Sequence, residues 1–239
     1  MRSGAILPIV EVVWANLDLG AALLDRWHEM LNAAERARAE LLRSERERRR
    51  YTTRRGILRA LLARRLGRSP SELCFRANGY GKPSLIDDVD IEFNLSHARG
   101  MVLIAMSRDL TVGCDVAFRD PRFPVEDIAA RFFSPREHHE LLSTPRADRV
   151  AAFFAGWTRK EAFVKARGLG LSLPLDSFAV SLAADNRPAL YDGCDGWSAR
   201  CVAPAPGFSA AIVAEGRDWQ LAASALEPRK LLGDIDARA

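Results

Sequence analysis

Five groups of residues in this chain have the types and spacing that chemistry requires. Gly-Cys-Asp-Val at 113–116 places Asp115 near the end of an apolar run, where an acid is costly to bury unless a cation pairs with it. A strand-end Asp facing water is the plainer reading of the same residues. Trp157, Glu161 and Lys165 follow at i, i+4 and i+8 and so line one helical face, where a Glu four residues before a Lys also stabilises any helix by roughly 0.2–0.5 kcal/mol. Phe-Asn-Leu-Ser-His at 93–97 ends a strand with Asn94, Ser96 and His97, a polar trio able to bind a phosphate or an oxyanion or to serve structure alone. No Gly-x-Ser-x-Gly elbow surrounds Ser96, which argues against a serine hydrolase. Gly-Tyr-Gly-Lys-Pro at 79–83 presents Lys82 from a stiff turn. The fifth group is an Arg cluster spanning 36–68, readable as a solvated helix face or as a surface for phosphates or nucleic acid.

The elements that must position these residues follow from local pattern. Residues 5–17 read as an opening strand, and 20–66 as helices interrupted near Asn32 and Ser44. Ile57, Leu58, Leu61, Leu62 and Leu66 form an apolar stripe on an Arg-studded rod. Turn signals at 78–79 and 81–83 separate short strands expected at 73–76, 91–95, 101–107 and 112–118. A helical block is expected over 125–167, with Ser134 and Glu137 as a capping box, and strands return over 178–226. This order predicts an α+β architecture in two similar halves, an N-terminal unit of residues 1–110 and a C-terminal unit of residues 111–239.

Composition narrows the class. The chain has 239 residues and a formal net charge of +4, yet residues 33–68 alone hold thirteen Arg against four Glu, so the remainder is net acidic. Only four of the 35 basic residues are Lys, at 82, 160, 165 and 230. No apolar run reaches the roughly 18 residues of a membrane span, and the first twenty residues lack a signal-peptide pattern, which makes a cytoplasmic protein the expectation. Cys74, Cys114, Cys194 and Cys201 show neither a CxxC pair nor zinc-like spacing with His, and read as small core residues.

Taken in order, Gly-Lys-Pro, Phe-Asn-Leu-Ser-His, Val-Gly-Cys-Asp-Val, Trp-Thr-Arg-Lys-Glu-Ala-Phe-Val-Lys and Leu-Pro-Leu-Asp-Ser-Phe resemble the 4'-phosphopantetheinyl transferase superfamily, in its larger, monomeric Sfp type, over residues 33–180. The resemblance implies an enzyme that moves the phosphopantetheine arm of coenzyme A onto a serine of an apo acyl or peptidyl carrier protein, releasing adenosine 3',5'-bisphosphate. It implies Mg²⁺, with Mn²⁺ as an alternative, held by Asp115 and Glu161. Glu161 would also accept the serine proton, and Lys165 would meet the pyrophosphate; these two and Asp115 are the implied catalytic residues. Lys82, Ser96 and His97 match positions that hold the adenosine end, Lys160 supports the phosphates or the helix, and Arg36, Arg38 and Arg55 are further candidates for the terminal phosphate. The site would lie in the cleft between two pseudo-symmetric halves, with Arg residues and apolar side chains near Phe132 and Phe133 docking carrier domains of fatty-acid, polyketide or nonribosomal peptide synthases. One position departs: the family often has a third acid two residues after the Asp, and here it is Ala117. A nucleic-acid-binding module built on the Arg run, and a non-catalytic homologue that binds coenzyme A or carriers, are the rival readings.

Overall fold

The computed structural model describes residues 7–86, 90–183, 190 and 192–236. In chain order the elements are β1 (Ile9–Asn16), α1 (Ala21–Glu29), α2 (Ala33–Glu40), α3 (Glu45–Leu66), β2 (Phe75–Ala77), β3 (Pro83–Leu85), β4 (Glu92–Ala98), β5 (Met101–Ser107) and β6 (Val112–Phe118), then α4 (Val125–Phe132), α5 (Pro135–Ser143), α6 (Arg149–Arg167), β7 (Trp197–Val202), β8 (Phe208–Glu215), β9 (Gln220–Ala225) and α7 (Pro228–Asp236). Helices begin where side chains satisfy their free amides. The Asn32 side chain accepts from the Glu35 amide and Ser44 from the Glu47 amide, which splits the 20–66 stretch at the two expected places. Ser134 and Glu137 form the expected capping box at the start of α5.

The fold is α+β, and strand order reveals two copies of one plan. In the first, β1 is followed by helices and then β4 and β5, with β5 central and antiparallel to both others. In the second, β6 is followed by helices and then β7 and β8, with β8 central and antiparallel to both. Each copy carries one long helix, α3 or α6, across its sheet. A shared core lies between the sheets, where Val10, Val12 and Leu103 meet Val112, Cys114 and Ile212. The split at residue 110 does not describe the packing of the last segment: β9 returns to pair in parallel with β1, and Leu231 and Leu232 of α7 enter the core under α3. Residues 220–236 thus strap the second copy to the first.

Other expectations shift at the edges. Pro70–Glu72 forms a single 3₁₀ turn, so β2 starts at Phe75 rather than at 73. Between 178 and β7 only an isolated bridge, Val180 to Leu190, stands where strands were expected, and residues 184–189 and 191 of that stretch lie outside the described ones, as do residues 5 and 6 of the expected first strand. Cys114 and Cys194 are buried in the core as expected, whereas Cys74 is exposed. Among the described residues no helix is long and apolar enough to cross a membrane.

Candidate active site

One contact decides where the chemistry-bearing residues meet. α6 lies so close on β6 that a Cβ added to Gly113 would stand 2.2 Å from the Ala162 carbonyl oxygen and 2.3 Å from the Ala166 amide nitrogen. Only a residue without a side chain permits that approach, which accounts for the Gly two positions before Asp115. Gly113→Ala should lower stability by about 1–3 kcal/mol or more, because a backbone cannot yield as a side chain can, and the loss is measured by denaturant unfolding. On its other flank β6 is held by β4, whose Asn94 Oδ1 accepts from the Cys114 amide at 2.9 Å. Asn94 therefore serves structure, joining the two halves of the chain.

These contacts bring Ser96, Asp115 and Lys165 together. Ser96 Oγ donates to Asp115 Oδ1 at 2.7 Å, and Lys165 Nζ donates to the same oxygen at 2.5 Å and to Ser96 Oγ at 3.0 Å. Asp115 is 6% exposed, so its compensating cation is Lys165 and the water-facing reading does not hold. Burial opposes the charge on Lys165, but Asp115 outweighs it and its pKa is raised. Glu161, one turn earlier on α6, lines the same cleft, of about 600 Å³, and accepts no hydrogen bond from any described residue. Burial and then the charge of Asp115 push its pKa up, with Lys165 acting in the opposite direction. The second oxygen of Asp115 is likewise left without a hydrogen bond among the described residues. Two carboxylates with vacant oxygens thus share one cleft, and Ala117, two residues along β6, lines it as well.

His97 lies at the other end of the cleft. Partial desolvation and the positive charges of Arg54, Lys165 and Arg50 push its pKa down to about 4. Arg50 is engaged by a two-pronged pair with Asp18. Arg54 has no carboxylate partner among the described residues; its guanidinium stacks 4.8 Å from the Tyr51 ring, and burial lowers its pKa to about 10. Arg38, on α2, is exposed and acts on Arg54 electrostatically; neither residue lines the cleft itself. Which of the nine Arg residues of α3 faces His97 depends on the rotation of α3 against β4, and the sequence contained no signal for it.

Several candidates are placed elsewhere. Lys160 is fully buried on the far side of α6, paired with Glu137, and does not reach the cleft. Arg55 is turned onto Glu35, a carboxylate it shares with Arg59, and both guanidinium groups lie over the Phe75 ring. Arg36 donates to the Glu29 carbonyl. Lys82 lines a hollow of about 330 Å³ adjoining the cleft, but its ammonium donates to the carbonyls of Val112 and Ala166 at 3.2 and 3.0 Å. Phe133 is buried, stacked on Phe153, while Phe132 is 41% exposed with its ring edge-on to Trp157 at the cleft mouth. Much of the Arg run is paired internally, to Asp18, Glu35, Glu11 and Asp234, which leaves the nucleic-acid reading without support.

The model of the 4'-phosphopantetheinyl transferase superfamily matches residues 111–222. The 4'-phosphopantetheinyl transferase HetI of a Nostoc species is 35% identical over 193 residues, which is 80% of this chain and 81% of HetI. The chain belongs to this superfamily. The 4'-phosphopantetheinyl transferase Sfp of Bacillus subtilis is also 35% identical, over 56% of this chain and 58% of Sfp, and AcpT of Salmonella typhimurium is 37% identical over 46% of this chain and 56% of AcpT. As a 4'-phosphopantetheinyl transferase, the protein uses coenzyme A as its substrate and a carrier protein as its acceptor. The cleft lined by Ser96, His97, Asp115, Glu161 and Lys165 is the candidate site for that reaction.

Proposed function

We propose that this cleft binds coenzyme A with its phosphates between the two halves and transfers the phosphopantetheine arm to the serine of an apo acyl or peptidyl carrier domain of a fatty-acid, polyketide or nonribosomal peptide synthase. The observation that carries the reading is the convergence of Asp115 and Glu161, both with unengaged oxygens, beside Lys165 and Ser96. Two carboxylates fit Mg²⁺, which is commonly held by one or two acids, substrate phosphate oxygens and waters. Mn²⁺ is the alternative. Held there, the ion would supply neutralising charge at the pyrophosphate.

The chain's own residues have distinct tasks. Lys165 and the Ser96 hydroxyl face the phosphate nearest Asp115 and stabilise charge on the leaving bisphosphate. His97, Arg54 and Arg38 hold the terminal phosphate of the adenosine end. Glu161, its pKa raised, accepts the proton of the carrier serine directly or through a water. Phe132 and Trp157 at the mouth, with Arg99 and Arg122 held by Asp120 of the cleft lining, offer an apolar and partly cationic rim to an acidic carrier surface. Consumption of coenzyme A with equimolar release of adenosine 3',5'-bisphosphate, only when apo carrier and Mg²⁺ are both present, is the result expected; release without carrier would point to hydrolysis instead.

Two further outcomes follow. A phosphate anion beside His97 raises its pKa from about 4, so between the free and bound values binding takes up a proton and affinity for coenzyme A rises as pH falls. Calorimetry near pH 6 in two buffers of different ionisation enthalpy should show this uptake, and His97→Gln should remove it. Ala117→Glu adds a third carboxylate to the cleft, and the Mg²⁺ concentration for half-maximal activity should fall several-fold in a metal titration.

A further inference from the structure

Lys160 immediately precedes Glu161 yet points about 100° around α6 from it, into the core, where it is 0% exposed. Its ammonium lies 2.8 Å from Glu137 Oε2 and donates to the carbonyls of Leu175 at 2.6 Å and Phe178 at 2.7 Å. All three of its N–H donors are thereby matched. Glu137, also fully buried, is equally satisfied: Oε2 accepts from the Ser134 amide at 2.7 Å and the Ser134 hydroxyl at 2.8 Å, and Oε1 accepts from the Val180 amide at 2.9 Å. One network therefore ties the start of α5, the middle of α6 and the connection over 175–180.

None of these polar groups lines the cleft. An ion pair in a core is a poor way to gain stability, because apolar residues of the same volume commonly do as well or better. Its distinguishing property is direction. Greasy contacts tolerate a helix that slides or turns by a few degrees, whereas an ion pair and five hydrogen bonds of fixed length do not. Successive helical residues are about 100° apart, so fixing Lys160 fixes the direction in which Glu161 points. The network also holds Leu175, which lines the hollow adjoining the cleft together with Glu161 and Lys165.

We propose that the Lys160–Glu137 pair is a positioning device for transfer, setting the rotation of α6 so that Glu161 and Lys165 meet Asp115 and fixing the 173–175 wall to the same helix. This rests on the roles assigned above to Glu161 and Lys165. Neither Lys160 nor Glu137 touches substrate, and the expected signature is a loss in turnover without a loss in coenzyme A binding.

The test is the pair of variants Lys160→Met and Lys160→Met/Glu137→Gln, with melting temperature, kcat, and coenzyme A Kd measured well below each transition. The single variant leaves a buried carboxylate without its cation and should melt early. In the double variant both charges are gone, and stability should recover toward wild type while kcat stays about 10- to 100-fold down, because small misplacements of reacting groups carry losses of that size. Coenzyme A Kd should change less than about threefold, since the phosphate contacts remain. A folded double variant with wild-type kcat overturns the proposal, as does a kcat loss matched by an equal loss of coenzyme A binding. If the double variant does not fold, Glu137→Gln alone, which keeps the side-chain shape, is read by the same criteria. Glu161→Gln run alongside separates the two possible failures. Full turnover in that variant would refute the role of Glu161 itself, whereas its loss beside intact turnover in the pair variants would refute only the positioning role.

Discussion

Glu161→Gln and Asp115→Asn are each expected to reduce carrier modification by at least about 10²–10⁴-fold, the range associated with loss of a positioned acid–base group. Both substitutions keep side-chain volume and remove one negative charge, so the fold should survive. In Glu161→Gln the proposed acceptor of the serine proton is gone, and the amide would also offer a cation a weaker ligand. Asp115→Asn leaves Lys165 and Ser96 facing a neutral amide. Burial opposes the charge on Lys165 and Asp115 is what sustains it, so in this variant the Lys165 pKa should fall. Adding Mg²⁺ to high concentration should recover part of the activity of Asp115→Asn and little of that of Glu161→Gln, because only the latter has lost a proton acceptor as well. Equal and complete rescue of both would remove the base role.

Lys165→Ala is the second large effect. Its ammonium is the compensating charge for Asp115 and stands at the proposed place of the leaving bisphosphate, so its loss should lower kcat by about 10²–10³-fold, the magnitude typical of removing one preorganised donor. Coenzyme A affinity should change much less, since the contacts proposed for His97, Arg54 and Arg38 at the other end of the molecule remain. Arg at 165 should restore activity poorly, because a planar fork cannot place a point charge between Asp115 and Ser96 as an ammonium does. The raised pKa also sets the pH range over which the pair acts. It contributes fully at neutral pH and is lost only as pH rises past 10.5, so the effect of the mutation on stability should be flat between pH 6 and 9. A stability difference that varies across that window would mean another group titrates with the pair.

The residues that meet in the cleft were legible in the sequence and their surroundings were not, for a physical reason. Asp115, Ser96 and the Glu161–Lys165 face sit on regular elements whose direction follows from local periodicity, and their partners lie on one strand pair and one helix face. Lys160 was open to two readings, support of the phosphates or of the helix, because composition reports charge and not direction; its position on α6 turns it away from Lys165, into a core that had to supply Glu137 from 23 residues upstream. Arg54 was hidden among thirteen similar side chains, since a run of Arg does not tell which ones the chain's own acids neutralise. The closure of β9 on β1 is a pairing across some 210 residues, and neither strand carries a local mark of it. Gly113 could be seen, but its reason, the backbone of α6 at 2.2 Å from a Cβ position, exists only once the helix is docked.

The most direct measurement is the intact mass of an apo carrier protein after incubation with this protein, coenzyme A and Mg²⁺. A single gain of about 340 Da, the mass of the transferred phosphopantetheine arm, confined to the acceptor serine and lost with Glu161→Gln, is the predicted result. An unchanged carrier mass across acyl and peptidyl carriers with either Mg²⁺ or Mn²⁺, from protein that is folded and binds coenzyme A, would contradict the account.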